Sequence, residues 1–177
     1  IKENGERYEG EWKDDKKHGK GEMKWADGQV YKGDFVENRR EGKGEHRWAD
    51  GARYVGEFVR NMFEGRGEFY RRNGIKYEGE FKGGDFEGEG EQTYVDTSVF
   101  RGTYVRGKKE GKGIYQTKER DICLSYWRNN VMENSGTIFY RDGGMYEGEL
   151  KELKRHGKGK MKYEDGKEEN GYWKDDF

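Results

Sequence analysis

Apolar and polar positions alternate along this chain in short packets. In Tyr8-Gly10-Trp12 the aromatic and small residues are separated by Glu9, Glu11 and Lys13. In Gly19-Gly21-Met23-Trp25 they are separated by Lys20, Glu22 and Lys24. A period of two is that of a strand with one covered and one solvated face. After the second packet comes Asp27-Gly28, a dipeptide that favours tight turns. Each pair of packets therefore predicts two antiparallel strands.

The packets recur along the whole chain. Tyr8-Glu9-Gly10-Glu11-Trp12, Tyr31-Lys32-Gly33-Asp34-Phe35, Tyr54-Val55-Gly56-Glu57-Phe58 and Tyr77-Glu78-Gly79-Glu80-Phe81 follow one another in steps of 23 residues. Phe100-Arg101-Gly102-Thr103-Tyr104, Cys123-Leu124-Ser125-Tyr126-Trp127 and Tyr146-Glu147-Gly148-Glu149-Leu150 keep the step. A partial copy from about residue 169 ends at Gly171-Tyr172-Trp173. Six of the seven units also carry a Gly-x-Gly cluster, such as Gly19-Lys20-Gly21 and Gly42-Lys43-Gly44. Turn dipeptides at Asp27-Gly28, Asp50-Gly51, Asn73-Gly74, Asp142-Gly143 and Asp165-Gly166 separate the units. Register held without an insertion predicts a single repeat domain over 1–177, with units starting at about 8, 31, 54, 77, 100, 123 and 146.

This pattern resembles the MORN (membrane occupation and recognition nexus) repeat, whose units read roughly YxGxW, a short variable loop, then GxG and a closing glycine turn. The resemblance spans residues 5–173. It implies an all-β fold, an elongated single-layer array of antiparallel β-hairpins. The fifth and sixth units depart from it. Thr97 and Arg120 replace the turn glycine, Ser125 and Asn134 replace framework glycines, and Cys123 replaces the aromatic. Those units are expected to be the least regular.

Register follows from keeping each face consistent, because a slip of one residue flips every side chain. A three-residue loop, Ala26-Asp27-Gly28, pairs Met23 with Tyr31 and Gly21 with Gly33, and is read as a type I turn closed by a left-handed glycine. Within a unit, Tyr8 then faces Met23, Gly10 faces Gly21, and Trp12 faces Gly19. One face carries a column of glycines over which aromatic rings can lie. The other carries Glu11, Lys20, Asp34, Lys43, Glu57, Arg66 and Glu80, alternating in sign. Some 15 strands at about 4.8 Å make a ribbon roughly 70 Å long with no central core. Its aromatic face is expected to be open, the first hint of a binding role.

Composition changes the picture in one respect. Leu, Ile, Val and Phe number 25 of 177 residues, about 14%, a value typical of disordered chains. However, 27 aromatics, 30 glycines and no proline mark an ordered chain, one with too little aliphatic material for an ordinary globular core. The formal charge of −1 gives no pull towards nucleic acid. There is no run of about 18 apolar residues, the length that a helical membrane span needs. A lone cysteine cannot form an internal disulfide, so a reducing, cytoplasmic setting is expected.

Chemistry-bearing motifs are few. Gly102 to Lys109 nearly spells a phosphate-binding loop, but Lys109 stands where Ser or Thr should hold magnesium. His18, His46 and His156 do not cluster, so no metal site is expected. Cys123 fills an aromatic slot and reads as a structural thiol rather than a nucleophile. No catalytic, cofactor-binding or metal residue is assigned, and the segment is read as non-enzymatic.

The loop joining the two strands of a unit varies more informatively. Its two central positions hold Lys16-Lys17, Arg39-Arg40, Met62-Phe63, Asp85-Phe86, Lys108-Lys109, Val131-Met132 and Lys154-Arg155. The basic pairs are read either as edge solvation or as a rail for anionic lipid and acidic protein tails. Met62, Phe63 and Phe86, in adjacent units, are read as one patch beside the open rings of Tyr54, Phe58, Tyr77 and Phe81, with Val131 and Met132 as a further candidate contact. An amphipathic helix or extended segment of a partner could cover it. Alternatively, Phe63 and Phe86 fold back over their own strands.

The expected function is a non-catalytic scaffold that binds other proteins. The resemblance implies a ciliary, flagellar or cytoskeletal assembly. Two alternatives stand beside it: a phosphoinositide or membrane-surface tether, and the targeting module of a larger enzyme, since the chain begins at Ile1. A homodimer is left open.

Overall fold

The computed structural model describes residues 5–177. Seven hairpins and a final strand make up the chain. They are β1 (Arg7–Lys13) with β2 (Lys16–Lys24), β3 (Val30–Val36) with β4 (Arg39–Arg47), β5 (Arg53–Val59) with β6 (Met62–Tyr70), and β7 (Lys76–Lys82) with β8 (Asp85–Thr93). Then come β9 (Val99–Val105) with β10 (Lys108–Gln116), β11 (Ile122–Arg128) with β12 (Val131–Phe139), β13 (Met145–Lys151) with β14 (Lys154–Lys162), and β15 (Glu168–Trp173). Strand order follows chain order in one open antiparallel sheet, and no helix occurs among the described residues. The chain divides into two compact units, a first up to Gly90 and a second from Glu91.

The connection between repeats is the three-residue loop read from the pattern. Met23 pairs Tyr31 and Gly21 pairs Gly33. The Gly28 N–H donates to the Trp25 carbonyl at 3.1 Å, with Gly28 at φ +89°. Thr97 and Arg120 take the same left-handed conformation, φ +72° and +78°, although neither is glycine. Their hairpins keep the lengths of the others, seven and nine residues. The expected irregularity is confined to Asn134: the pairing of β12 with β13 begins only at Ser135 and Glu149.

Inside the repeat the structure corrects the register. Tyr8 faces Met23 and Gly10 faces Gly21, but Trp12 faces Lys17, not Gly19. Two extra residues on β2 are accommodated in a bulge where Gly19 adopts φ +61°. The Glu11 carboxylate lies over this bulge and accepts the Lys20 N–H at 2.9 Å. Asp34 and Glu149 do the same for Lys43 and Lys158. The connection itself is only two residues long, as in Glu37-Asn38 (φ +47°, +71°) and Asn129-Asn130 (φ +50°, +71°), the paired left-handed geometry of a type I′ turn. Lys16-Lys17 and their equivalents therefore open the second strand instead of forming the loop.

The core of the first unit is a zigzag of rings on a glycine floor. Tyr31 meets Phe35 and Phe58 edge-on, with centroids 5.1 and 5.0 Å away. Tyr54 meets Phe58 and Phe81 at 5.1 and 5.0 Å. Edge-to-face pairs of this kind add about 0.5–1.5 kcal/mol each beyond their buried area. The tyrosine ring covers the second glycine of its own repeat: a Cβ on Gly44 would stand 2.4 Å from the Tyr31 hydroxyl oxygen. That hydroxyl donates to the Asp34 carbonyl at 3.0 Å, and Tyr8, Tyr54, Tyr77 and Tyr146 repeat the bond.

In the second unit, Cys123, Ile138, Tyr146, Leu150, Met161 and Trp173 form the core. Phe100 takes the tyrosine role there, over Gly113, meeting Trp127 at 4.9 Å.

Candidate binding surfaces

The structure sends the two positions that open each second strand in different directions. The first points outward: Lys16, Arg39, Lys108 and Lys154 are exposed, as are Met62 (48%) and Val131 (67%). The second turns in over the aromatic ring of its own repeat. Lys17 lies over Tyr8, with Nζ 5.5 Å from the centroid, and the Arg40 guanidinium lies over Tyr31 at 5.6 Å. Phe63 stacks on Tyr54 at 3.9 Å and Phe86 on Tyr77 at 3.7 Å. Met132 packs against the core of the second unit. One slot thus accepts a cation over a π-face, a second ring, or a thioether.

This arrangement overturns the expectation of an open aromatic face. Tyr54, Phe58, Tyr77 and Phe81 are at most 3% exposed, closed by one another and by the residue in the slot. Phe63 and Phe86 fold back over their own strands. The basic edge also thins to one cation per repeat. Lys16 and Arg39 approach Glu37 at 3.8 and 3.7 Å, and Arg155 is held by Asp176 at 3.5 Å. Lys109 is buried among Tyr94, Phe100 and Trp127, and its amine is pulled down to about 8 by lost hydration.

Two other buried titratable groups are structural. Burial pushes the Cys123 thiol up to about 11, away from the thiolate that a nucleophile needs. His46 sits between Trp25 and Trp48, with ring centroids 5.5 and 4.4 Å away. Its Nδ1 accepts from Arg40 at 3.0 Å and its Nε2 donates to Gln29 at 2.9 Å, an assignment that requires the neutral ring. Burial, with the Arg40 charge, holds its pKa down to about 4. No group of three or more His, Cys, Asp or Glu side chains converges as metal ligands would among the described residues.

The opposite face of the first unit holds a groove that the residue pattern did not single out. It encloses about 730 Å³ and crosses the strands along the backbone of Gly10, Gly21, Gly33, Gly44 and Gly56. These glycines pair in sequence, Gly10 with Gly21, Gly21 with Gly33, Gly33 with Gly44 and Gly44 with Gly56, so the floor is continuous. Their hydrogens on the other side lie under the tyrosines. One wall carries Glu9, Glu22, Lys32, Glu45 and Val55; the other carries Lys20, Lys43, Glu57 and Arg66. The signal for it was present in the glycine column. However, that column was read only for the face on which the rings lie.

The MORN repeat family model matches residues 8–30, 31–53, 54–76, 77–99, 100–118, 125–145 and 146–168. No curated protein sequence matches the chain. Among solved structures, the SAS-4 (dCPAP) TCP domain of Drosophila melanogaster, in complex with a proline-rich motif of Ana2 (dSTIL), is similar at 12% identity and TM-score 0.58. That match covers 88% of this chain and 85% of that one. The wild-type TCP10 domain of Danio rerio CPAP is similar at 14% identity and TM-score 0.59, covering 97% and 81%. A CPAP G-box domain, described with a suggested role in centriole elongation, gives 13% identity and TM-score 0.50 over 88% and 81%. At these identities the similarity is one of fold: an open sheet of successive antiparallel strands. With seven matched units across the body of the chain, this protein belongs to the MORN repeat family.

Proposed function

We propose that this protein is a non-catalytic scaffold that holds a segment of a partner protein, within a ciliary, flagellar or cytoskeletal assembly. The observation that carries the reading is the glycine-floored groove of the first unit. It is a concave site whose floor is bare backbone and whose walls are charged. The sheet's own rings close the aromatic face, which leaves the charged face as the accessible one. The SAS-4 TCP domain, similar in fold, is described in complex with a proline-rich motif of Ana2. The CPAP G-box description points the same way as to setting.

The test is capture of partner proteins by the full chain and by a Lys43→Glu, Arg66→Glu variant that keeps its melting temperature. The scaffold reading expects the variant to lose specific partners and to leave the assembly in cells. Identical capture and localisation would remove it.

The exposed cations Lys16, Arg39, Lys108 and Lys154 support the membrane-surface alternative. Sedimentation with anionic liposomes, screened by salt, tests that reading.

A further inference from the structure

The glycine groove carries an excess of unneutralised positive charge. Three of its four carboxylates are engaged by a neighbouring cation. Glu9 contacts Arg7, Glu22 pairs Lys24 at 2.7 Å, and Glu45 pairs Arg47 at 2.7 Å and Arg53 at 3.6 Å. Glu57, opposite Lys43 in the ladder, forms no ion pair among the described residues and is turned down over Gly65, where an added Cβ would meet its Oε2 at 2.6 Å. On the cationic side, Lys20 is engaged by Asp34 at 2.5 Å. Lys32, Lys43 and Arg66 line the groove and form no ion pair among the described residues.

The spacing of these cations follows from the fold. Lys20, Lys43 and Arg66 stand at one repeat position on β2, β4 and β6, so each is two strand separations from the next, about 9.6 Å. A polyproline-II helix rises about 3.1 Å per residue with three residues per turn, which brings every third side chain to the same face about 9.3 Å on. The two periods agree to a few tenths of an ångström.

Width and hydrogen bonding select the same conformation. The walls flank each glycine by one residue on either side, about 6.7 Å apart along a strand, too narrow to admit an α-helix about 10 Å across. The floor's peptide groups are spent on the sheet ladder, so it offers no bonds to an incoming strand. A polyproline-II segment needs none.

We propose that the groove binds a polyproline-II segment of a partner protein carrying an acidic residue at every third position. Lys43 and Arg66 take successive carboxylates, and Lys32 meets the segment from the opposite wall. From β1 to β6 the groove spans about 24 Å, room for seven or eight such residues. The inference rests on the scaffold reading above and specifies the ligand of that same site.

The test uses the full chain and a fluorescent nonapeptide of three Pro-Pro-Glu triplets, followed by anisotropy. Binding should weaken with added salt. It should fall about tenfold or more in a Lys43→Ser, Arg66→Ser variant whose circular dichroism and melting temperature match the parent. A peptide of equal charge with glutamates at alternate positions should bind about tenfold more weakly, and Pro-Pro-Lys triplets should not bind.

Equal binding of the two acidic spacings, or binding indifferent to Lys43 and Arg66, would overturn the proposal. So would anionic vesicles engaging these residues while the triplet peptide does not. Partner capture that needs Lys43 and Arg66 but is not competed by the triplet peptide would overturn it and leave the scaffold reading standing. Capture that needs neither residue would remove the scaffold reading itself.

Discussion

Phe63 lies flat on Tyr54, ring centroids 3.9 Å apart and planes 17° from parallel, in the place that Arg40 takes over Tyr31 one repeat earlier. The slot selects for a flat or cationic group that covers a tyrosine. Phe63→Ala should cost about 2 kcal/mol, less than the 3–5 of a fully buried ring. Phe63→Arg should cost under about 1 kcal/mol, because a guanidinium regains a cation–π contact. Urea denaturation of the two variants measures the difference.

The glycines under the tyrosines are expected to tolerate no side chain. A Cβ on Gly44 would stand 2.4 Å from the Tyr31 hydroxyl oxygen. Phe35 and Phe58 hold that ring from its edges. Gly44→Ala should therefore cost about 3 kcal/mol. Gly51 has nothing within 4 Å of an added Cβ but a φ of +93°, so Gly51→Ala should cost only the backbone strain, about 1–2 kcal/mol. Equal losses in thermal melting would contradict the packing account of Gly44.

Position in the array should decide what an aromatic is worth. Phe58 is 1% exposed between Tyr31 and Tyr54, and Phe58→Ala should cost about 3–5 kcal/mol. Trp12, first in the series, is 58% exposed with its edge contact to Tyr8. Trp12→Ala should cost about 1 kcal/mol. Chemical denaturation midpoints check the ratio.

Thr97 holds a left-handed conformation, φ +72°, in a turn closed by its N–H to the Tyr94 carbonyl at 3.0 Å. A β-branched residue is strained there. Thr97→Gly should stabilise the protein by about 1 kcal/mol, read as a raised melting temperature.

His46 links stability to pH. Its folded pKa of about 4 lies below the ordinary value of 6.5. Between these two values the unfolded chain takes up a proton that the folded ring refuses. Stability is therefore full above about pH 6.5 and declines as pH falls towards 4, by about 3 kcal/mol in total. Denaturation midpoints across this range should slope for the parent and flatten for His46→Gln, whose amide can still meet Arg40 and Gln29.

Much of this fold is legible in the sequence, because a repeat states its own register. Alternation in Tyr31-Gly33-Phe35 against Lys32 and Asp34 assigns the strand and its two faces. The steps of 23 residues place each strand beside the next, and Asp27-Gly28 sets the three-residue turn. These are local or periodic properties. The type I′ turn was legible too, in Asn38 and Asn61, whose short amide side chains tolerate the left-handed conformation. It was missed because the bulge at Gly19 shifts the register by two residues.

What only the tertiary structure decided is which residues of that pattern remain free. Lys16 and Lys17 are neighbours of one type in the sequence. One is solvated and the other covers Tyr8, because strand alternation gives the second a ring to lie on. Tyr54 and Phe58 read as open until the next repeat brings Phe81 and the slot brings Phe63. The charges of the glycine groove balance on paper until ion pairs engage Glu9, Glu22 and Glu45 and leave Lys43 and Arg66 over. Composition and spacing establish which groups are present. Only packing shows which of them are already spent on each other, because that depends on distances between residues far apart in the chain.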